Sequence, residues 1–146
     1  MNRTKTATRI LSVLAVLFLL LASLTACSGG ITREEAQTAM DALLTALDNE
    51  NYAEAAALYH PDAAMTEDLL AAFAGQIKTK VGIDLTEGAV VEKITGMSSS
   101  YYDSNVDGSR YALTARIKAG DKTADLTVEV IRNDRGYGIF KVECNP

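Results

Sequence analysis

Residues 111–130 read YALTARIKAGDKTADLTVEV and contain two runs in which apolar and polar side chains alternate. This period of two is typical of β-strands with one buried face, and Gly120-Asp121 between the runs is a two-residue hairpin signal. The stretch therefore predicts an antiparallel hairpin in a sheet with one covered face and one partly wet face. The apolar positions that would face the core are Tyr111, Leu113, Ala115, Ile117, Ala124, Leu126, Val128 and Val130.

Two further strands are expected beside this hairpin. The first would cover residues 89–97 and the last residues 137–143, with residues 98–109 (SSSYYDSNVDGS) as a polar connection. Asp134-Arg135-Gly136 is typical of a tight turn in which the glycine takes a left-handed conformation. The period stays at two from residue 83 onwards, so the sequence predicts a four-strand antiparallel meander.

Upstream of residue 83 the apolar period is helical. Thr32-Arg33-Glu34-Glu35 matches the capping box T-x-x-E and predicts the start of a helix. Asn51 is a cap for a second helix over residues 52–59, which His60-Pro61 would end because proline has no backbone donor. The apolar stripe expected on the first helix is Ala36, Met40, Leu43, Leu44 and Leu47.

A third helix would start at Thr66 and end at Gly82, a residue type that favours helix C-termini. Its expected apolar stripe is Leu69, Leu70, Phe73 and Ile77. Helices followed by strands indicate an α+β class rather than alternating β and α elements. We therefore expect one domain over residues 32–146, with three N-terminal helices packed on a curved four-strand antiparallel meander.

Residues 1–26 have the features of a secretory signal peptide. Three basic residues precede the apolar run 10–24, which is shorter than the roughly 20 residues that span a membrane. Leu24-Thr25-Ala26-Cys27 resembles the lipobox of bacterial lipoproteins, which implies a diacylglyceryl group on Cys27 and membrane lipid as a partner. The alternatives are an ordinary secretory signal cut near Ala26, or an uncleaved anchor.

The lipobox resemblance makes residues 27–31 a lipidated cysteine with a short Ser/Gly tether. It implies a location on the extracytoplasmic side of the cell membrane. Removal of residues 1–26 takes away three of the 14 basic residues and none of the 19 acidic ones, which leaves 11 basic residues. An acidic chain without a basic cluster does not favour a nucleic-acid partner. Cys144 would then be a buried edge residue, a free thiol or an intermolecular link.

The layout of the folded part resembles the NTF2-like superfamily. The resemblance covers residues 32–143 and rests on DALLTALDNENYAEAAALYHPD at residues 41–62, a third helix and a final strand YGIFKVE at residues 137–143. A cystatin-like sheet wrapped around a helix is the main alternative. NTF2-like members often form a cone with a pocket between the helices and the concave sheet, used for catalysis or for binding. The catalytic set of the ketosteroid-isomerase-like members does not map onto this chain.

One segment resembles half of a calcium-binding loop. Asp103, Asn105, Asp107 and Gly108 follow the EF-hand spacing D-x-N-x-D-G, in which alternate side chains supply oxygen ligands. The twelfth position is Thr114 instead of the bidentate glutamate, and strands rather than helices flank the segment. Asp103, Asn105 and Asp107 are therefore weak candidate ligands, and the competing interpretation is a simple strand connection.

The other candidates are aromatic residues and the single histidine. His60 is explained either as part of a helix-ending turn or as a pocket base, since one imidazole alone cannot build a zinc site. Tyr52 and Tyr59 are seven residues apart and are expected on one helix face, as core packing or as a pocket lining. The candidate pocket set is Tyr52, Tyr59, His60, Phe73 and Tyr111.

The chain contains no G-x-S-x-G, P-loop or G-x-G-x-x-G motif, so we expect no cofactor. These observations lead to the hypothesis of a lipid-anchored, non-enzymatic surface domain. It would bind an envelope protein or a small ligand at the sheet face or in the helix–sheet pocket. The alternatives are a ketosteroid-isomerase-like or hydrolase-type enzyme of the same fold, and a weakly calcium-binding accessory protein of the cell envelope.

Overall fold

The computed structural model of the protein describes residues 30–100 and 107–146 with their side chains, and residues 101–102 as backbone. The predicted signal peptide and Cys27 lie outside this part, as do Asp103 and Asn105. Within it, three α-helices precede a four-stranded antiparallel sheet, and the predicted α+β class is confirmed. None of the helices in this part of the chain is long and apolar enough to cross a bilayer.

Helix α1 spans Arg33–Asp48 and begins at the predicted capping box. The backbone N–H of Glu35 donates to Thr32 Oγ1 at 3.2 Å, and the backbone N–H of Thr32 donates to Glu35 Oε2 at 2.8 Å. Two backbone donors that a helix start leaves unpaired are thereby satisfied. All five residues of the predicted apolar stripe are buried, so α1 supplies the helical side of the core.

Two shorter helices follow. Helix α2 spans Tyr52–Ala57, is capped by Asn51 as predicted, and ends two residues earlier than expected. A 3₁₀ turn at Pro61–Ala63 leads to helix α3, Glu67–Gln76, which Thr66 caps. The helical path then continues as a π-helical turn, Ile77–Val81, and stops at Gly82 with a φ of +83°.

The predicted stripe of α3 is wrong at one position. Leu70 is buried, but Leu69 is 54% exposed. Helix α3 packs mainly against α2 and its own π-helical continuation rather than on the sheet. Only a narrow strip of its surface is therefore covered, and a residue one position away from Leu70 points to solvent.

The strands are β1 (Val90–Tyr102), β2 (Asp107–Ala119), β3 (Lys122–Asn133) and β4 (Gly136–Asn145). They pair in the order β1-β2-β3-β4, which confirms the predicted meander. The prediction that residues 98–109 form a connection is wrong, because Ser98 pairs with Ala112 and Ser100 with Arg110. Backbone hydrogen bonds between strands do not require apolar side chains, and the hydroxymethyl side chains of these serines are exposed to solvent.

The core lies between α1 and one face of the sheet. The inward positions predicted on β2 and β3 are all buried, and they join the apolar stripe of α1 in one cluster. The opposite positions, such as Arg116 and Asp125, remain partly exposed. We call the side of the sheet turned away from α1 the outer face.

Helix α1 runs between two ends of the domain. At its start, Tyr137 Oη donates to the carbonyl of Glu35 at 3.1 Å, beside the β3–β4 turn. At its finish, the backbone N–H of Gly88 donates to Asp48 Oδ1 at 2.7 Å, and that of Gly120 in the β2–β3 turn donates to the carbonyl of Glu87 at 3.0 Å. We call these the proximal and the distal end.

Candidate functional site

The segment that carries His60 is attached to the edge of β4. The backbone N–H of His60 donates to the carbonyl of Ile139 at 2.8 Å, and the N–H of Ile139 donates to the carbonyl of Leu58 at 2.9 Å. Gly138 makes this approach possible, because a Cβ there would lie 2.5 Å from the His60 nitrogen. Glycine is the residue that permits two backbones to come this close.

The imidazole of His60 is 1% exposed and both of its nitrogens are engaged. Nδ1 accepts from the backbone N–H of Asp62 at 3.1 Å, so the neutral ring carries its proton on Nε2. Nε2 then donates to Asn133 Oδ1 at 2.9 Å. A buried imidazole satisfied at both nitrogens cannot accept a substrate proton unless one of these bonds is broken first.

Asp62 is part of the same polar cluster through Arg135. The Arg135 Nε lies 2.8 and 3.0 Å from the two carboxylate oxygens of Asp62, and Asn133 Nδ2 lies 3.4 Å from one of them. The Arg135 guanidinium lowers the pKa of Asp62, since the charged form of the acid accepts its hydrogen bonds. We call His60, Asp62, Asn133 and Arg135 the His60 network. It connects the segment after α2 to the β3–β4 turn.

A second polar cluster holds the start of α1 at the same end. Glu35 Oε1 accepts from Arg132 at 2.6 Å, and the Arg132 guanidinium lies 4.9 Å from the ring centre of Tyr137. Burial opposes the ionisation of Glu35, but the bonds from Arg132 and Thr32 outweigh it and the pKa of Glu35 is lowered. Burial raises the pKa of Tyr137 well above its ordinary range. These contacts connect the start of α1 to residues of β3 and β4 that lie 97 and 102 positions further along the chain.

The structure disperses the candidate pocket residues into the core. Tyr59 and Tyr111 are each 8% exposed, and burial raises the pKa of Tyr59 to about 12. Tyr52 and Phe73 are half-buried against the same cluster. The expectation that Tyr52 and Tyr59 share a helix face is wrong, because α2 ends at Ala57 and Tyr59 bridges to Ile139 in β4. Both tyrosines thus pack the core, from a helix and from a strand-like segment.

Only part of the candidate calcium loop lies in the described chain. Asp107 begins β2 with an exposed side chain, and its carbonyl accepts from Asn133 Nδ2 at 3.1 Å. Gly108 has a φ of +137°, and a Cβ there would collide with the carbonyl oxygen of Arg132. Strand packing therefore accounts for this glycine. Within residues 30–102 and 107–146, no three acid, histidine or cysteine side chains converge as metal ligands would.

The outer face of the sheet carries a set of cross-strand polar pairs. Arg116 makes two bonds to Asp125, at 2.8 and 3.1 Å, and Thr114 Oγ1 lies 2.9 Å from Thr127 Oγ1. Opposite charges and hydroxyl pairs at facing positions stabilise a sheet by about 0.2–1 kcal/mol each. The polar side chains of this face are therefore hydrogen-bonded to one another while remaining partly exposed.

Towards the proximal end of the outer face, one ion pair lies beside an aromatic ring. The guanidinium of Arg110 lies 5.0 Å from the ring centre of Phe140 and forms an ion pair with Glu129. Only a tenth of the Arg110 side chain is exposed. Cation–π contacts of this kind strengthen as water is removed. Sequence reasoning missed this cluster because Phe140 sits at a β-bulge, where alternation no longer shows which face a residue takes.

Sequence reasoning also missed Asn133, the centre of the His60 network. It stands directly before the Asp134-Arg135 turn, where asparagine is an ordinary residue. A buried partner 73 positions away leaves no local signal in the sequence.

Comparison with known proteins adds no relative to this picture. No protein-family model matches the chain. No curated protein and no solved structure matches it significantly either.

Proposed function

We propose that this protein is a lipid-anchored domain on the extracytoplasmic side of the cell membrane that binds a partner protein through the outer face of its sheet. The observation that carries this proposal is the contrast between the two sides of the sheet. The inner side is filled by buried apolar side chains from α1. The outer side presents partly exposed, hydrogen-bonded polar pairs around Arg116 and Asp125.

The filled interior favours the sheet face over a helix–sheet pocket. Met40, Leu43 and Leu44 occupy the space that a ligand would need, and each is at most 2% exposed. A pocket for a small molecule is usually a cleft of a few hundred cubic ångströms. A protein partner requires no such cleft.

The same observations weigh against the enzyme alternatives. A ketosteroid-isomerase-like site needs an acid–base group that can reach a substrate. His60 is enclosed and doubly hydrogen-bonded, and Asp62 is held by Arg135. The network therefore supports a structural role at the proximal end rather than a catalytic one.

The chemistry of the outer face indicates the kind of partner. It combines Arg and Asp side chains with threonine hydroxyls, the Phe140 ring and the exposed apolar side chain of Val90, which pairs with Lys118. Mixed polar surfaces that include arginine and aromatic side chains are typical of transient protein–protein contacts. We therefore propose a protein that associates reversibly.

The membrane anchor in this proposal rests on Leu24-Thr25-Ala26-Cys27. A diacylglyceryl group supplies two acyl chains, and two chains hold a protein stably where one holds it only marginally. The architecture we propose is an NTF2-like cone, with a cystatin-like wrap as the alternative. The support is the order of elements and the bulges of β1, which curve a sheet.

Site-specific crosslinking in cells tests the proposed partner surface. Cells express the full chain with a photoreactive residue at Thr127 or Arg116 on the outer face, or at exposed Thr38 on α1 as the matched control. We expect both outer-face positions to crosslink the same protein and Thr38 to give no product. Equal products from all three positions would contradict the proposed surface.

The anchor is tested separately with labelled fatty acid and the Cys27→Ser variant. We expect label on the wild-type protein and release of the variant from the membrane. Unlabelled protein, together with unchanged membrane attachment of the variant, would refute the anchor.

A further inference from the structure

The first residues of the folded domain, Ile31 and Thr32, are fixed in place by packing and hydrogen bonds. Ile31 is 8% exposed within the core, and Thr32 is bonded in both directions to Glu35. Glu35 is in turn paired with Arg132 at the end of β3. The chain therefore enters the domain at the proximal end, next to the β3–β4 turn.

The tether is short compared with the domain. Cys27 and Thr32 are five positions apart, with four residues between them, and a fully extended chain of this length reaches at most ~17 Å. Helix α1 has 16 residues and is thus about 24 Å long. A lipid group on Cys27 cannot lie beside the distal end of α1 while Thr32 stays at the proximal end.

The proximal end has surface chemistry that fits a zwitterionic bilayer. Exposed charges of both signs lie close together there, from Arg33 and Glu34 at the start of α1 to Asp134 and Arg135 in the β3–β4 turn. A phosphate with an attached ammonium group presents the same two signs. The two arginines and two acids of this set sum to zero charge, so they give no net attraction to a strongly anionic surface.

We propose that the proximal end of the domain faces the bilayer, with the Asp134-Arg135 turn at the level of zwitterionic lipid headgroups and the distal Gly120-Asp121 turn pointing away. This inference rests on the proposed anchor at Cys27. The strands run between the two ends, so in this orientation their axes point away from the membrane surface, roughly along its normal. The outer face is then turned sideways, towards a partner held at the same membrane.

Two aspartates provide a matched pair for the test. Asp134 and Asp121 each occupy a two-residue turn of the same sheet and are exposed, but they lie at opposite ends. The full lipidated chain carries Asp134→Cys or Asp121→Cys in a Cys144→Ala background, and a fluorophore is attached to the new thiol. The protein is placed in vesicles of zwitterionic phosphatidylcholine that contain a lipid with a quencher in its headgroup.

We expect quenching at least three-fold stronger at residue 134 than at residue 121. Equal quenching, or stronger quenching at residue 121, would overturn the orientation. A second variant inserts 20 Gly/Ser residues between Gly30 and Ile31, which gives a flexible reach of roughly 25 Å. The difference between the two sites should shrink in this variant, and an unchanged difference would also overturn the role of the tether.

The anchor itself is checked first, by vesicle flotation and by the mass of the Cys27 peptide. Protein that neither floats nor carries the lipid mass refutes the proposed anchor and this inference with it. Protein that floats but fails the quenching comparison refutes only the orientation.

Discussion

Nε2 of His60 lies 2.9 Å from Oδ1 of Asn133, and this hydrogen bond joins a buried imidazole to a half-buried amide 73 positions away in the chain. Asn133 also accepts from the backbone N–H of Arg135 and donates to the carbonyl of Asp107. One amide side chain thereby holds together the segment after α2, the β3–β4 turn and the start of β2. The proximal end of the domain depends on this residue.

Asn133→Ala is therefore expected to lower the free energy of unfolding by about 1–3 kcal/mol, because it leaves the buried Nε2–H of His60 without an acceptor. Urea denaturation measures the change. Asn145→Ala, at an exposed position of β4, is the matched control and should stay within about 0.5 kcal/mol of wild type. Equal losses in the two variants would show that the His60 network does not stabilise the fold.

Two glycines should respond to alanine in opposite directions. A Cβ at Gly138 would lie 2.5 Å from the backbone nitrogen of His60, so Gly138→Ala must push the two backbones apart, at a cost of about 1–3 kcal/mol. A Cβ at Gly75 in α3 meets nothing within 4 Å, and Gly75→Ala should stabilise the helix by about 0.5–1 kcal/mol. Thermal unfolding of both variants tests the pair. A stabilised Gly138→Ala would contradict the close approach of His60.

Acid should weaken the contact between Lys78 and Asp84. Hydrogen bonds from Lys78 and Thr86 lower the pKa of Asp84 to about 2, below the value of about 3.9 in an unfolded chain. As the pH falls, Asp84 of the unfolded state therefore takes up its proton before Asp84 of the folded state does. The stabilisation that the ionised carboxylate gives to the folded protein is complete above about pH 4 and is lost as the pH falls towards 2. In the Asp84→Asn variant, the urea midpoint of unfolding should therefore decrease less between about pH 4 and pH 2 than it does in the wild-type protein.

Lys78→Met supplies the control for that experiment, since it removes the cation while keeping the carboxylate. In the Lys78→Met background, Asp84→Asn should change the pH dependence less than it does in wild type. The same change in both backgrounds would mean that Lys78 does not govern the acid response of Asp84.

Cys144 should be slow to react in the folded protein. Its side chain is half-buried in β4, and burial raises the pKa of the thiol to about 11, with a smaller contribution from the charge of Asp125. The thiolate is the reactive form, and an unfolded cysteine has a pKa of about 8.5. Alkylation at pH 8.5 should therefore be about 100-fold slower than in urea. Mass spectrometry of the Cys144 peptide measures both rates, and similar rates would contradict the raised pKa.

Local signals in the sequence were sufficient for most of the helices and strands. The capping box at Thr32, the cap at Asn51 and the stop at Gly82 depend on neighbours within a few residues, so each could be predicted. The two-residue turn Gly120-Asp121 also sets the register of β2 and β3. A register starting from Ala119 and Lys122 places Arg116 opposite Asp125, as observed.

The failures occurred where burial or pairing depends on distant elements. Leu69 and Leu70 have the same side chain, and only the packing of α3 decides which one is buried. The serines at residues 98–100 look like a loop, but they join β1 because β2 offers free backbone partners opposite them.

The sequence by itself determined most of the helices and strands, the two tight turns and the division of the sheet into an apolar and a polar face, because each follows from short-range geometry and a period of two. Only the tertiary structure decided that His60 is enclosed, that Asn133 is its partner and that α1 starts at the same end as the β3–β4 turn. These relations depend on how distant segments dock, since a hydrogen bond across 73 residues forms only after the core between them has packed.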